Sequence, residues 1–195
     1  YDFQAAMIAP CYISLAKDVL KGTGIQVAST LNFPQANDTL DMKLAALKEM
    51  IKTGVDQFDF PPNPGLLIGG EEKAYFEEMK QIVEVAHASG VIVKSMLEFG
   101  FLNEEQKKKA AQLACEAGID WVKQSSGWGV GGCAATVEDV KILKENISLP
   151  CRVKVSGKVN SLEKMKMMFE AGAELVGTSS GPEIIEGLIG DPNAY

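Results

Sequence analysis

One hydrophobic pattern recurs along the chain: a helical stretch ends in a glycine, and a short apolar strand follows at once. The pattern occurs four times, in the segments KTGVDQFDF, ASGVIVKSM, EAGIDWVKQ and EAGAELVGT. Glycine just after the last helical turn is a common helix ending. Three more apolar runs, AAMIAP, IQVASTLNF and CRVKVSG, predict strands introduced by other turns. The pattern therefore predicts seven strands.

Helical segments separate these strands, and the sequence places them at 40–52, 72–88, 104–117, 137–145 and 162–171. The strands are apolar at nearly every position, as expected when helices cover both faces of a parallel sheet. This alternation predicts the α/β class. An open doubly wound sheet and a (β/α)8 TIM barrel both fit the pattern. We favour the TIM barrel, and because such barrels have eight units we expect the first β/α unit to be missing from this chain.

Length and composition predict a single domain over residues 1–195, N-terminally incomplete, with no break that suggests a second one. Of these residues 46% are hydrophobic and 23% are charged, which is ordinary for a globular protein. The net charge of −7 disfavours nucleic acid and anionic membranes as partners. Four cysteines without a Cys-x-x-Cys pair, and a single histidine, disfavour a metal site. We expect reduced thiols, no metal or cofactor, and a cytoplasmic location.

Polar residues cluster where the predicted strands end, which is where chemistry gathers in α/β proteins. They are Asn32, Asp59, Asn63, Lys94, Glu98, Lys123, Lys154 and the segment 177–180. Three lysines at the ends of three strands would crowd one another. Crowding and desolvation both favour a neutral amine, which can attack a carbonyl carbon and form a Schiff base. The alternative is that each lysine reaches solvent or pairs with a carboxylate such as Glu98.

Two glycine-containing loops follow consecutive strands near the end of the chain. GTSSGPEIIEGL contains Gly177, Thr178, Ser179 and Ser180 and opens into a helix from Pro182, and VSGKVNS contains Gly157. Barrel enzymes often hold phosphate in the loops after their last two strands. The alternative is an ordinary capped helix start, for which proline suits the first helical position. Two such loops together favour phosphate.

Six stretches resemble the deoxyribose-phosphate aldolase family, the class I aldolases that use a Schiff base. They are ASTLNFPQANDTLD, VDQFDFPPNPGLLIGG, VIVKSMLEFGFL, WVKQSSGWGVGG, RVKVSGKVNSLEKM and AGAELVGTSSG, in the family's order. The resemblance implies a barrel that reversibly cleaves 2-deoxyribose 5-phosphate to acetaldehyde and glyceraldehyde 3-phosphate. It also implies that Lys123 is the Schiff-base lysine, that the charge of Lys154 favours the neutral form of Lys123, and that Asp59 moves protons through water. A homo-oligomer, either dimer or tetramer, is expected.

The resemblance also implies a set of substrate- and phosphate-binding residues, with some departures from the family. The set is Lys94, Ser126, Gly127, Gly157, Lys158, Gly177, Thr178, Ser179 and Ser180. Two family motifs differ in this chain. The motif Lys-Thr-Ser-Thr-Gly is Lys-Gln-Ser-Ser-Gly here, which introduces Gln124. The motif Ser-Gly-Gly is Ser-Gly-Lys here, which introduces Lys158. The Asp-His-Thr motif of the family's first strand is absent. Two alternatives therefore stay open: a related Schiff-base lyase with an altered acceptor, and a barrel that serves as a binding or scaffold protein.

Overall fold

A seven-stranded parallel sheet forms the centre of the structure, a computed structural model that describes residues 1–128 and 131–191. Each strand pairs with its neighbours in chain order. The strands are β1 (Ala5–Met7), β2 (Gln26–Thr30), β3 (Gln57–Phe60), β4 (Ile92–Met96), β5 (Trp121–Lys123), β6 (Arg152–Ser156) and β7 (Leu175–Gly177). Within the described residues β1 pairs only with β2 and β7 only with β6. The sheet is therefore a TIM-like barrel wall that stays open between its two edge strands.

Helices alternate with these strands, as the sequence predicts. They are α1 (Ile13–Val19), α2 (Leu40–Thr53), α3 (Pro64–Ile68), α4 (Glu72–His87), α5 (Glu104–Glu116), α6 (Val137–Glu145), α7 (Leu162–Ala171) and α8 (Gly181–Ile185), with 3-10 turns at Pro10–Tyr12 and Phe99–Phe101. The five longer helices match the predicted segments to within one residue at each end. The sequence pattern missed α1 and α3, which have only seven and five residues. No helix in residues 1–128 and 131–191 is long and apolar enough to cross a membrane.

Local sequence signals fix where these helices start and stop. Thr39 caps α2 by accepting a hydrogen bond from the Met42 backbone N–H, and Asn103 forms a capping box with Gln106 at the start of α5. At the other end, α2 and α7 stop at Gly54 and Gly172, whose φ angles are 97° and 115°. Only glycine takes this left-handed conformation readily, so the recurring Gly-strand pattern marks real helix ends.

Strand alternation separates the core from the interior of the barrel. Phe58, Val93 and Val122 are buried and cluster with Leu47 of α2 and Met79 of α4. Because successive side chains on a strand point to opposite faces, the residues next to Phe58, Val93 and Val122 face the barrel interior. The apolar layer between sheet and helices therefore holds the strands, and polar groups such as Asp59 and Lys94 can occupy inward positions.

The register of the strands brings particular inward residues side by side. Asp59 of β3 lies opposite Lys94 of β4, and Val122 of β5 lies opposite Val153 of β6. The residues that follow these two valines are Lys123 and Lys154, which therefore occupy adjacent positions on neighbouring strands. Lys123 ends β5, whereas Lys154 lies two residues before the end of β6.

Candidate active site

Four charged side chains from the four consecutive strands β3 to β6 meet inside the barrel. Lys154 Nζ donates a hydrogen bond to Asp59 Oδ2 at 2.5 Å. Lys123 Nζ lies 3.2 Å from the same oxygen, and Lys94 Nζ lies 3.5 Å from Asp59 Oδ1. All four side chains are at most 7% exposed. The predicted convergence of the three lysines is confirmed, and one carboxylate joins them.

Burial and mutual charge shift the pKa values of this cluster in opposite directions. Burial alone would raise the pKa of Asp59, but the charges of Lys154, Lys123 and Lys94 outweigh burial and hold that pKa far below its usual range. Burial is also the largest cause that lowers the pKa of Lys94 and of Lys154, each to about 8, although Asp59 opposes it. At pH 7 a lysine with such a pKa is a neutral amine about a tenth of the time, far more than the usual fraction.

Two buried polar atoms of the cluster lack a hydrogen-bond partner within residues 1–128 and 131–191. They are Lys94 Nζ and Asp59 Oδ1, which face each other at 3.5 Å. Buried polar atoms without partners are costly, and a ligand or water that both donates and accepts hydrogen bonds would satisfy this pair. A substrate hydroxyl has that property.

A cavity of about 960 Å³ opens over the cluster, a volume typical of small-molecule sites. Asp59 and the three lysines form part of its wall, and the segment 177–179 forms another part. Phe33 and Trp128, in contact edge to face with ring centroids 6.2 Å apart, also line it. The cavity continues along the inner surface of β1 and β7, which places it in the gap between the edge strands.

Comparison with known proteins identifies the family. No protein-family model matches the chain. The chain is 39% identical over 189 residues to the deoxyribose-phosphate aldolase of Thermococcus kodakarensis, and the alignment covers 96% of this chain and 84% of that protein. It is 40% identical over 192 residues to the deoxyribose-phosphate aldolase of Staphylococcus carnosus, and that alignment covers 98% of this chain and 85% of the relative. The chain belongs to the deoxyribose-phosphate aldolase family.

Solved structures agree with this family membership. The deoxyribose phosphate aldolase of Aeropyrum pernix, described as a tetramer, superposes with a TM-score of 0.85 at 26% identity, covering 94% of this chain and 76% of that one. An aldolase named QR15 superposes with a TM-score of 0.87 at 30% identity, covering 94% of this chain and 80% of that one. The resemblance seen in the six sequence stretches is therefore confirmed across nearly the whole chain.

The family's predicted site residues fall into two groups in the structure. The cavity wall contains Asp59, Lys94, Lys123, Lys154, Gly177, Thr178 and Ser179. The wall does not include Ser126, Gly127, Gly157, Lys158 or Ser180. For this second group the structure shows other contacts, so their substrate-binding roles stay predictions.

The backbone N–H groups after Lys123 are engaged within the protein. Ser126 N donates to Glu98 Oε1 at 2.9 Å, and Gly127 N donates to Ser125 Oγ at 3.0 Å. Neither N–H points at the cavity in a way that would serve a phosphate. Gln124 is also fully buried, and its Nε2 donates to the Ser156 carbonyl oxygen at 2.5 Å, so it ties β5 to β6 instead of lining the cavity.

The loop after β6 has a distinct reason for its glycine. Gly157 has a φ of 98°, and a Cβ there would lie only 2.9 Å from the Cys133 carbonyl oxygen, so only glycine fits. The next residue, Lys158, is exposed and has a φ of 61°, which is unusual for a residue with a side chain. Lys158 does not form part of the cavity wall.

Other polar residues at strand ends have structural contacts. Asn32 Nδ2 donates to Asp38 at 2.5 Å, and Asn63 Oδ1 accepts from Gly65 N at the start of α3. Thr178 Oγ1 donates to the Val159 carbonyl oxygen at 2.7 Å, which joins the loops after β6 and β7.

Sequence reasoning missed several residues that line the cavity: Thr30, Phe33, Met96, Trp128 and Ser156. Thr30, Met96 and Ser156 are the last residues of β2, β4 and β6, so a search of every residue near the predicted strand ends could have found them. The aromatic pair has no such signal, because it joins loops that are far apart in the sequence.

Proposed function

We propose that this chain is a class I aldolase that reversibly cleaves 2-deoxyribose 5-phosphate into acetaldehyde and glyceraldehyde 3-phosphate through a Schiff base on Lys123. The observation that carries the proposal is the contact of three buried lysines with Asp59 on the wall of one cavity, in a chain of this family. A neutral lysine amine attacks an aldehyde carbon, and loss of water gives the iminium.

The iminium then acts as an electron sink for carbon–carbon cleavage. The bond between C2 and C3 of the sugar breaks, and its electron pair moves into an enamine that contains the lysine nitrogen. The C3 hydroxyl must lose a proton to become the aldehyde of glyceraldehyde 3-phosphate, and C2 of the enamine must gain one. We assign both proton transfers to Asp59 and Lys154, which are hydrogen-bonded at 2.5 Å, with water as the proton carrier.

The assignment of the nucleophile to Lys123 rests on position and on the family resemblance. Lys154 is occupied by its short hydrogen bond to Asp59, whereas Lys123 lies farther from that carboxylate. The resemblance of the segment WVKQSSGWGVGG to the family also supports Lys123 as the Schiff-base lysine. Lys94, whose Nζ lacks a hydrogen-bond partner within residues 1–128 and 131–191, is left to bind a substrate hydroxyl beside Asp59.

We propose that the phosphate end of the substrate binds at segment 177–180, with Gly157 and Lys158 at its rim. Gly177, Thr178 and Ser179 line the same cavity as the lysines, which supports this orientation of the substrate. Ser180 N donates to Thr178 Oγ1 at 3.0 Å and so holds the loop in a tight turn. Ser126 and Gly127 stay predictions of the resemblance.

We also propose that an eighth strand completes the barrel between β1 and β7. Each of these strands has a partner on one side only within the described residues, and the cavity runs into the gap between them. Hydrogen exchange on the protein in its natural length tests this. Slow exchange of the amides that face the gap is expected, and rapid exchange would contradict a paired strand there.

Assembly and location are proposed by analogy. The relative from Aeropyrum pernix is described as tetrameric, and we propose that this chain also forms a dimer or tetramer. Sedimentation of the purified protein tests this. A cytoplasmic location stays a prediction.

The two alternatives gain little support. Gln124 and Lys158 motivate an altered acceptor, but neither lines the cavity. A scaffold has no use for three buried lysines around one carboxylate, since burying charges is costly.

A retro-aldol assay on 2-deoxyribose 5-phosphate tests the proposed activity. Wild-type protein should release acetaldehyde, and Lys123→Arg should not, because the guanidinium stays protonated. Turnover by Lys123→Arg close to that of wild type would overturn the assignment.

A further inference from the structure

The proposed mechanism does not use one buried glutamate, Glu98, which follows β4. Glu98 is only 3% exposed, and its φ of 52° lies in the left-handed region, which is costly for a residue with a side chain. Such a conformation persists only where surrounding contacts hold it. The contacts of Glu98 are therefore informative.

Glu98 and its two neighbours hold the chain that carries Lys123. Leu97 N donates to the Lys123 carbonyl oxygen and Phe99 N donates to the Gln124 carbonyl oxygen, each at 2.8 Å. Between these two backbone bonds, Glu98 Oε1 accepts from Ser126 N at 2.9 Å. Strand β5 is only three residues long and ends at Lys123, so these bonds extend its pairing beyond the strand itself.

Ser125 makes this arrangement specific for a carboxylate. Its Oγ accepts hydrogen bonds from Gly127 N at 3.0 Å and from Cys133 N at 2.9 Å, which occupies both lone pairs. Only the hydroxyl hydrogen is left, and two oxygen acceptors, Glu98 Oε2 and the Gly131 carbonyl oxygen, each lie 3.4 Å away. Ser125 can therefore donate to Glu98 but can accept nothing from it.

We propose that Glu98 is a positioning residue for the aldolase reaction: with Ser125 and Ser126 it forms a buried clamp that fixes the end of β5 and the orientation of Lys123. This inference rests on the proposed Schiff base at Lys123. Reactivity of a bound nucleophile depends on geometry so strongly that a misplacement of about 1 Å can reduce the rate about a hundredfold.

The clamp also reaches the rim of the cavity. Trp128 N donates to Ser126 Oγ at 3.1 Å, so the residue bonded to Glu98 holds the start of the segment that carries Trp128. The indole in turn contacts Phe33, and both rings line the cavity. The same carboxylate thus supports the nucleophile and part of the cavity wall.

The variant Glu98→Gln tests the clamp with the least change in shape. The amide oxygen can still accept from Ser126 N, but the NH2 group meets a Ser125 hydroxyl that has no lone pair to offer. We expect the rate of borohydride-trapped adduct formation at Lys123 with saturating acetaldehyde to fall about ten- to a hundredfold. In the retro-aldol assay kcat should fall by a similar factor while KM changes by less than about threefold, because Glu98 does not line the cavity.

A matched control separates positioning from general loss of stability. Asp139 is also a buried carboxylate held by hydrogen bonds, but the side chains that donate to it belong to Lys107 and Thr136. Asp139→Asn should destabilise the fold while leaving the trapping rate of the folded protein unchanged. Equal rate losses in both variants would overturn the proposal.

A second variant covers the case in which Glu98→Gln fails to fold. Ser125→Ala removes the other half of the clamp, and we expect the same fall in trapping rate, with no further fall in the double variant. Wild-type trapping rates in either folded variant would overturn the clamp. Failure of the proposed function looks different, since wild-type protein itself would then give no adduct at Lys123.

Discussion

Replacing Asp59 by asparagine removes the negative charge on which the lysine cluster depends while keeping the shape of the side chain. Its oxygens lie 2.5, 3.2 and 3.5 Å from three buried ammonium groups. A pair of charges at about 4 Å attracts by roughly 4 kcal/mol near a protein surface, but desolvation offsets much of this. Breaking a buried pair by removing one partner typically costs about 3–5 kcal/mol. We expect Asp59→Asn to lower the free energy of unfolding at pH 7 by about that amount.

The loss should depend on pH in a definite direction. Without Asp59, burial and mutual repulsion lower the pKa of Lys94 and Lys154 below their wild-type values of about 8. In the unfolded chain both lysines keep their protons up to about pH 10.4 in either protein. The folded variant therefore binds fewer protons than folded wild type at pH values up to about 8. The stability deficit should shrink as the pH rises, by up to about 1.4 kcal/mol per pH unit for each lysine.

Urea denaturation between about pH 6 and pH 9 measures this deficit. Asp139→Asn is the control, because its partner Lys107 is partly exposed and water can replace the carboxylate. The control's deficit should stay nearly constant with pH. In retro-aldol assays Asp59→Asn should also reduce kcat on the order of 10²–10⁴-fold with a smaller effect on KM. A stability deficit that stays flat or grows towards pH 9 would contradict the claim that Asp59 keeps Lys94 and Lys154 protonated in the folded protein.

Three further variants test separate parts of the molecule. Lys154→Leu removes the ammonium group that donates to Asp59 Oδ2 at 2.5 Å, so kcat in the retro-aldol assay should fall on the order of 10²–10⁴-fold, and an unchanged kcat would show that Lys154 takes no part in proton transfer. Lys158→Gly should change KM for 2-deoxyribose 5-phosphate by no more than about fivefold, the range of an exposed charge, and leave unphosphorylated deoxyribose unaffected. Lys43→Met leaves the buried carboxylate of Glu78 without its ion-pair partner, which lies at 2.9 Å in the wild type. The free energy of unfolding measured in urea should fall by about 3–5 kcal/mol, and a fall below about 1 kcal/mol would contradict the pairing.

The elements of the fold could be predicted because their signals are local. Gly54 and Gly172 mark helix ends that the chain itself requires, since each has a positive φ. The apolar runs after them are long enough to indicate buried strands. Short helices such as α3 carry too few residues for a periodic pattern, so their positions depend on packing.

The site could be predicted in part for the same reason. The sequence pattern places all three lysines at strand ends, which is right for Lys123 but wrong for Lys94 and Lys154, since each lies two residues before the end of its strand. The three still meet, because neighbouring parallel strands converge inside the barrel. Their shared contact with Asp59 also depends on the register between β3 and β4, which the sequence pattern does not specify. The contact of Glu98 with Ser126 joins residues 28 positions apart in the loops after β4 and β5, and no local pattern indicates it.

Reduction with borohydride in the presence of acetaldehyde tests the central claim most directly. The reagent converts a Schiff base into a stable N-ethyl lysine, and peptide mapping by mass spectrometry then shows which lysine carries it. We expect modification at Lys123, with Lys94 and Lys154 unmodified and no modification in Lys123→Arg. Modification at Lys94 or Lys154 in place of Lys123, or no adduct at all in active protein, would contradict it.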